Sequence, residues 1–136
     1  MLVATGIFAF GVALNNYLEL TNAVTIGAQL LAVSRGNTSN PCQTATTAIY
    51  NAAPFLAEGK LSFNFTFTPS TGGTSTAFAG TSNECGATGS SGATAYMLQG
   101  EQVEVTATYP CSLVGYGFNL SSLGCTLTAN VTEIIQ

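Results

Sequence analysis

The sequence predicts an α+β protein with a long protruding N-terminal apolar helix, a second short helix, and a small antiparallel β-sheet domain with two disulfides. Three observations carry the prediction. Residues 1–14, MLVATGIFAFGVAL, are uncharged and almost wholly apolar, and helical spacing continues from them to Arg35. Residues 61–68, LSFNFTFT, alternate apolar and polar without error, and residues 101–109 and 125–135 alternate after them. The four cysteines, Cys42, Cys85, Cys111 and Cys125, are even in number and none is spaced as C-x-x-C.

In the first helix, Leu20, Val24, Gly27 and Leu31 form one apolar face, widened by Ala23 and Leu30. Gly36-Asn37 supplies a stop, and Arg35 is placed to complement the helix dipole. A helix of about 34 residues would be roughly 50 Å long, longer than a small domain is wide. Residues 1–14 are apolar all round, so this segment must be buried in a membrane or among identical helices. At fourteen residues it is too short to span a bilayer alone. It lacks the basic start and small-residue cleavage site of a secretory signal, which predicts a mature chain cut from a longer precursor, or a shortened one.

Asn40-Pro41-Cys42-Gln43 reads as a helix start, with Asn40 capping, Pro41 at the first helical position and Gln43 completing a capping box. Ala45, Ala48, Ile49, Ala52 and Phe55 form its apolar face; Pro54 breaks it and Glu58-Gly59 ends it. The strand at 61–68 points Leu61, Phe63, Phe65 and Phe67 one way and Ser62, Asn64, Thr66 and Thr68 the other. Pro69 to Gly73 make a turn, 74–80 a short strand, 81–93 a Gly/Ser-rich loop, and 96–98 the start of another strand. Val103, Val105, Ala107 and Tyr109 share an inward face, as do Cys125, Leu127, Ala129 and Val131. These last two strands read as an antiparallel pair joined by the loop 111–124.

With no His available, a zinc site would need all four scattered thiolates, so two disulfides in an oxidising compartment are expected. Four cysteines allow three connectivities. The strand order favours Cys111 with Cys125, pinning the mouth of the last loop, and leaves Cys42 with Cys85. Each closure adds about 2–4 kcal/mol by restricting the unfolded chain.

Composition excludes several functions. Charged residues are 6% of the chain, against roughly a quarter in ordinary soluble domains. Two cations, Arg35 and Lys60, cannot neutralise a run of phosphates, so nucleic acid is not a partner; docking on anionic lipid is disfavoured equally. There is no Asp and no His, hence no Ser-His-Asp, Cys-His or aspartic dyad. Glu101 and Glu104, three apart on a strand, face opposite sides. Lys60 lies in a turn, and the Gly/Ser run at 86–93 is a loop, not a phosphate cradle. No enzyme activity, cofactor, metal site or small-molecule substrate is expected. Sequons at Asn37, Asn64, Asn119 and Asn130 are candidate glycosylation sites, although roughly two or three would arise by chance with Ser and Thr so common. Phe8, Phe10 and Tyr17 form an aromatic cluster better suited to packing between subunits than to electron transfer. Glu19 is either a solvated helix position or an interface residue facing Arg35 or Lys60 of a neighbour.

The stretch GIFAFGVALNNYLELTNAVTIGAQLLAVSRG resembles the N-terminal segment of TadE-like proteins, the pilin-like proteins of tight-adherence systems, which are related to type IV pilins. The matching features are Phe10-Gly11, Leu20 to Ala23, Gly27-Ala28, and the exit at Arg35-Gly36; Pro41-Cys42 and Tyr109-Pro110 continue the likeness more loosely. Residues 1–14 contain no Glu, where typical pilins have one near the mature N-terminus, and that role is not carried over to Glu19. The resemblance implies an exported, non-enzymatic subunit of an extracellular, cell-surface filament: a helical homopolymer serving cell adhesion or a related role, with the membrane involved only as the assembly precursor's site. Residues 1–36 would then be the assembly helix and 37–136 a disulfide-bonded β-rich globular domain. Leu2, Val3, Gly6, Ile7, Phe8, Phe10, Gly11, Leu14, Tyr17 and Leu18 are the self-assembly residues, with Gly6 and Gly11 permitting close approach of neighbouring helices. Two alternatives stay open: a monomeric membrane-tethered or secreted adhesin, and an archaeal-type pilin.

Overall fold

The structure is a computed structural model that describes residues 2–80, 85, 92–111, 114–115, 118–119 and 125–136. Helix α1 runs Leu2–Val33. Burial along it begins at Leu20 and continues through Ala23, Val24, Ala28 and Leu31. This is the stripe expected from the spacing, with one correction: Leu30 is exposed, because it sits at the stripe's margin over a cleft toward the next helix. The helix stops short of Arg35. Ser34 Oγ turns back to donate to the Leu31 carbonyl at 2.9 Å, Gly36 takes a left-handed φ of 75°, and Asn37 N donates to the Ser34 carbonyl at 3.0 Å. Arg35 therefore lies beyond the last helical turn, not within it. The long apolar helix is also interrupted by Asn15, Asn16 and Glu19, and no helix among the described residues is long and apolar enough to cross a membrane.

Helix α2 runs Pro41–Ala52. Asn40 Oδ1 accepts from Gln43 N at 3.1 Å, and Pro41 occupies the first turn, where its missing N–H has no partner to lose. The box closes differently from the usual one: Asn40 N donates to Thr38 Oγ1 at 3.2 Å, and Gln43 Oε1 lies 3.5 Å from Asn40 Nδ2. The helix ends at Ala52 because the residue before Pro54 is pushed out of the helical region. Phe55, expected on the buried face, is consequently 86% exposed. Residues Glu58–Lys60 form a separate 3-10 turn. Pro41, Cys42, Ala45, Thr46 and Ile49 are buried.

The helices meet at Gly27. A Cβ there would lie 2.5 Å from Ile49 Cγ1 and 3.2 Å from the Ala45 carbonyl oxygen, so only glycine permits this approach.

Four strands, β1 Ser62–Thr68, β2 Thr76–Ala79, β3 Gln102–Pro110 and β6 Thr126–Ile134, form an antiparallel sheet in the order β2-β1-β3-β6. Two short strands, β4 Val114–Gly115 and β5 Phe118–Asn119, pair antiparallel inside the segment expected to be loop throughout. The rest of 112–124, and all of 81–91 except Cys85, lie outside the described residues. The strand expected from 96 is absent: Ala93–Tyr96 is a 3-10 turn, and Gly100, at φ 86°, turns the chain into β3.

Register stacks the inward side chains in rows. Phe63, Ala107 and Ala129 share one row, Phe65, Val105 and Val131 the next. Against these rows packs the second half of α1, and α2 packs in turn on α1, so Leu20 to Leu31 belong to the same core as the sheet. Tyr50 meets Phe63 edge to face at 5.5 Å, and Phe67 meets Phe78 likewise at 5.8 Å. The disulfides are Cys42–Cys85 and Cys111–Cys125, the pairing the strand order favours. The second continues the β3–β6 ladder, with Cys111 N donating to the Cys125 carbonyl at 3.2 Å. Gln136 N donates to the Ala32 carbonyl at 3.1 Å, tying the end of the chain to the end of α1.

Candidate assembly surface

Residues 3–18 of α1 place their large apolar side chains in solvent. Val3 is 76% exposed and Phe8 73%; Ile7, Phe10, Val12, Leu14, Tyr17 and Leu18 are exposed as well. Val3, Ile7, Phe10, Leu14 and Tyr17 follow one another at alternating spacings of four and three residues, the spacing of a helix–helix seam. Phe8, Val12 and Leu18 lie off that seam, which makes the segment apolar on several sides. Gly6 and Gly11 have open space where a Cβ would stand. The Leu2 side chain lies outside the described residues. Val12 was not among the residues expected here, although its place within the unbroken apolar run is the signal that would have included it.

Glu19 marks the boundary between the two halves of the helix. Its Oε1 accepts from Phe55 N at 3.1 Å, which joins α1 to the turn after α2. The carboxylate thus satisfies a backbone donor of its own chain; a partner 36 residues away carries no signal in the sequence. Thr21 and Thr25 bond back to the carbonyls of Tyr17 and Thr21, each at 2.9 Å, and form the flank beside the buried stripe.

The remaining glutamates, the lysine and the tyrosine of α2 lie apart from one another or in simple pairs among the described residues. Glu101 is 9% exposed at the entry to β3, while Glu104 lies on the outer sheet face and accepts from Asn130 Nδ2 at 3.2 Å. Lys60 is exposed in its turn. Burial, and secondarily the nearby Glu58 carboxylate, push the Tyr50 phenol above its ordinary pKa of 10.0. An open cleft of about 520 Å³ beside α2 is lined by Leu30, Thr38, Asn40, Gln43, Thr47 and Asn51, among others. Four of its lining residues are engaged at the start of α2: Thr38 Oγ1 lies 2.9 Å from Thr44 Oγ1, and Asn40 Oδ1 accepts from Gln43 N. Among the described residues, no three His, Cys, Asp or Glu side chains come together as metal ligands.

No protein-family model, curated protein or solved structure matches this chain. The exposed apolar side chains of residues 3–18 form the largest apolar run on the surface of α1.

Proposed function

We propose that this chain is a non-enzymatic structural subunit of an extracellular, pilus-like filament, self-assembling through the first half of α1. The observation that carries the proposal is the exposure of Val3, Ile7, Phe8, Phe10, Leu14 and Leu18 on a helix whose second half buries one face in the core. An identical helix is the partner that fits. The exposed seam has few charges to desolvate, and apolar burial yields roughly 25 cal/mol per Å². Residues 1–14 would protrude from the domain formed by the remainder and be buried among the same residues of neighbouring subunits. A heterologous contact of this kind that does not close on itself generates an open helical filament. The TadE-like pattern over residues 6–36 supports the same reading, and the two disulfides are compatible with an extracellular setting.

Negative-stain electron microscopy of detergent-free native material, beside a version lacking residues 1–14, tests the proposal. Filaments from the full chain and dispersed monomers from the shortened one are expected. Dispersed particles in both samples would overturn it and point instead to a tethered or secreted adhesin.

A further inference from the structure

We infer that the outward face of the sheet is an N-glycosylation platform, with glycans on Asn64 and Asn130. Both residues head N-x-Thr sequons, Asn64-Phe65-Thr66 and Asn130-Val131-Thr132. The fold brings the two together. Asn64 pairs with Thr106 across β1 and β3, and Thr106 pairs with Asn130 across β3 and β6, so both asparagines stand on one row with a single residue between them. At about 4.8 Å per strand their backbones lie roughly 10 Å apart. Phe63, Phe65 and Ala129 are buried on the core side, which turns Asn64 and Asn130 outward, and both are exposed. Each sequon threonine, Thr66 and Thr132, two residues on, shares the face of its asparagine. Ser62, Thr108 and Thr128 complete a neighbouring row of hydroxyls, and Glu104 is the charged residue of this outward face on β3.

The position of Asn130 adds a second argument. Strand β6 is an edge of the sheet, nine residues long, without Pro, Lys or Arg to discourage another strand from pairing with it. Asn130 is its middle residue. A bulky hydrophilic glycan rising there would hinder strand addition where the side chains themselves do not.

The donor would be a lipid-phosphate-linked oligosaccharide encountered during export. The Asn Nδ2–C1 bond forms, the C1–O bond to phosphate breaks, the lipid phosphate leaves with the electron pair, and Nδ2 gives up one proton. Nδ2 keeps its other hydrogen, so the hydrogen bond from Asn130 to Glu104 Oε1 survives modification. The inference does not depend on polymerisation.

Mass spectrometry of chymotryptic peptides, from protein purified from the cells that make it naturally, tests the platform. Hexose-containing or N-acetylhexosamine-containing additions on both the Asn64 and Asn130 peptides are expected. In a Thr132→Val variant expressed in the same cells, Asn130 should be bare and Asn64 still modified. Bare peptides at either site in the natural protein, glycans confined to Asn37 or Asn119, or a glycan persisting on Asn130 in Thr132→Val would each overturn it.

Discussion

Within α1, Val24, Ala28 and Leu31 are fully buried, whereas Val3, Ile7, Phe10 and Leu14, at the same alternation of four and three residues, stand in solvent. Both regions carry large apolar side chains at helical spacing. The difference lies in what surrounds the apolar residues. From Leu20 onward, Thr21, Asn22, Thr25 and Gln29 make an outer side, and Gly27 opens a flat place for Ile49. Before Leu20 the polar residues are Thr5, Asn15, Asn16 and Glu19, and the large apolar side chains between Val3 and Leu18 are exposed. An amphipathic helix is completed by its own domain; a helix apolar on several sides requires a partner. The second half of the helix thus serves the fold, and the proposed association falls to the first half.

The largest expected break in that comparison comes from truncating side chains. Leu20→Ala or Leu31→Ala should destabilise the dispersed protein by about 2–5 kcal/mol, because each leaves a cavity in the core. Ile7→Ala should change it by less than about 0.5 kcal/mol, since the side chain is already hydrated. Urea unfolding of the three variants reads both effects.

The disulfides sharpen the picture of how the domain receives the second half of the helix. Cys42–Cys85 closes a separation of 43 residues and Cys111–Cys125 one of 14. Replacing the first pair by serine should cost about 4 kcal/mol and the second about 3 kcal/mol on chain-entropy grounds. The shift in urea midpoint for each double variant gives the comparison, and the longer loop should suffer more.

Glycine substitutions distinguish the halves by sign. Gly27→Ala drives a methyl group into Ile49 and should destabilise by about 1–3 kcal/mol. Gly11→Ala meets open space and should stabilise the helix by up to about 1 kcal/mol in dispersed protein. Thermal unfolding should move down for the first and level or up for the second.

The smallest effect concerns pH. Tyr50 has its pKa raised in the folded state, so between its unfolded and folded values the native chain holds more protons than the unfolded one. Its contribution is complete below pH 10 and declines as pH rises through the folded value. Tyr50→Phe should flatten this alkaline loss slightly, as seen in denaturation midpoints collected from neutral pH upward.

Much of the fold is legible in the sequence because its signals are local. Strict alternation marks β1, β3 and β6; Asn40-Pro41 marks the start of α2; and cysteines at the end of β3 and the start of β6 suggest their own pairing. The errors arise where packing decides. The strand expected at 96–98 is too short for its alternation to outweigh the turn at Ala93–Tyr96, and Phe55 loses its burial when Pro54 ends α2 early. In the candidate surface, the apolar character of 1–14 is plain from the sequence, but the onset of burial at Leu20 is not. It depends on Gly27 against Ile49 and on Glu19 reaching Phe55 N, contacts between residues far apart in the chain.

Amide hydrogen exchange, followed separately in dispersed and assembled protein, addresses the division of α1 most directly. In dispersed protein, residues 3–18 should exchange quickly, having no tertiary support, and residues 20–33 slowly. Assembly should slow exchange in 3–18 strongly and leave 20–33 nearly unchanged. Protection that appears along β6 or the outer sheet face, with 3–18 still exchanging freely, would contradict the account.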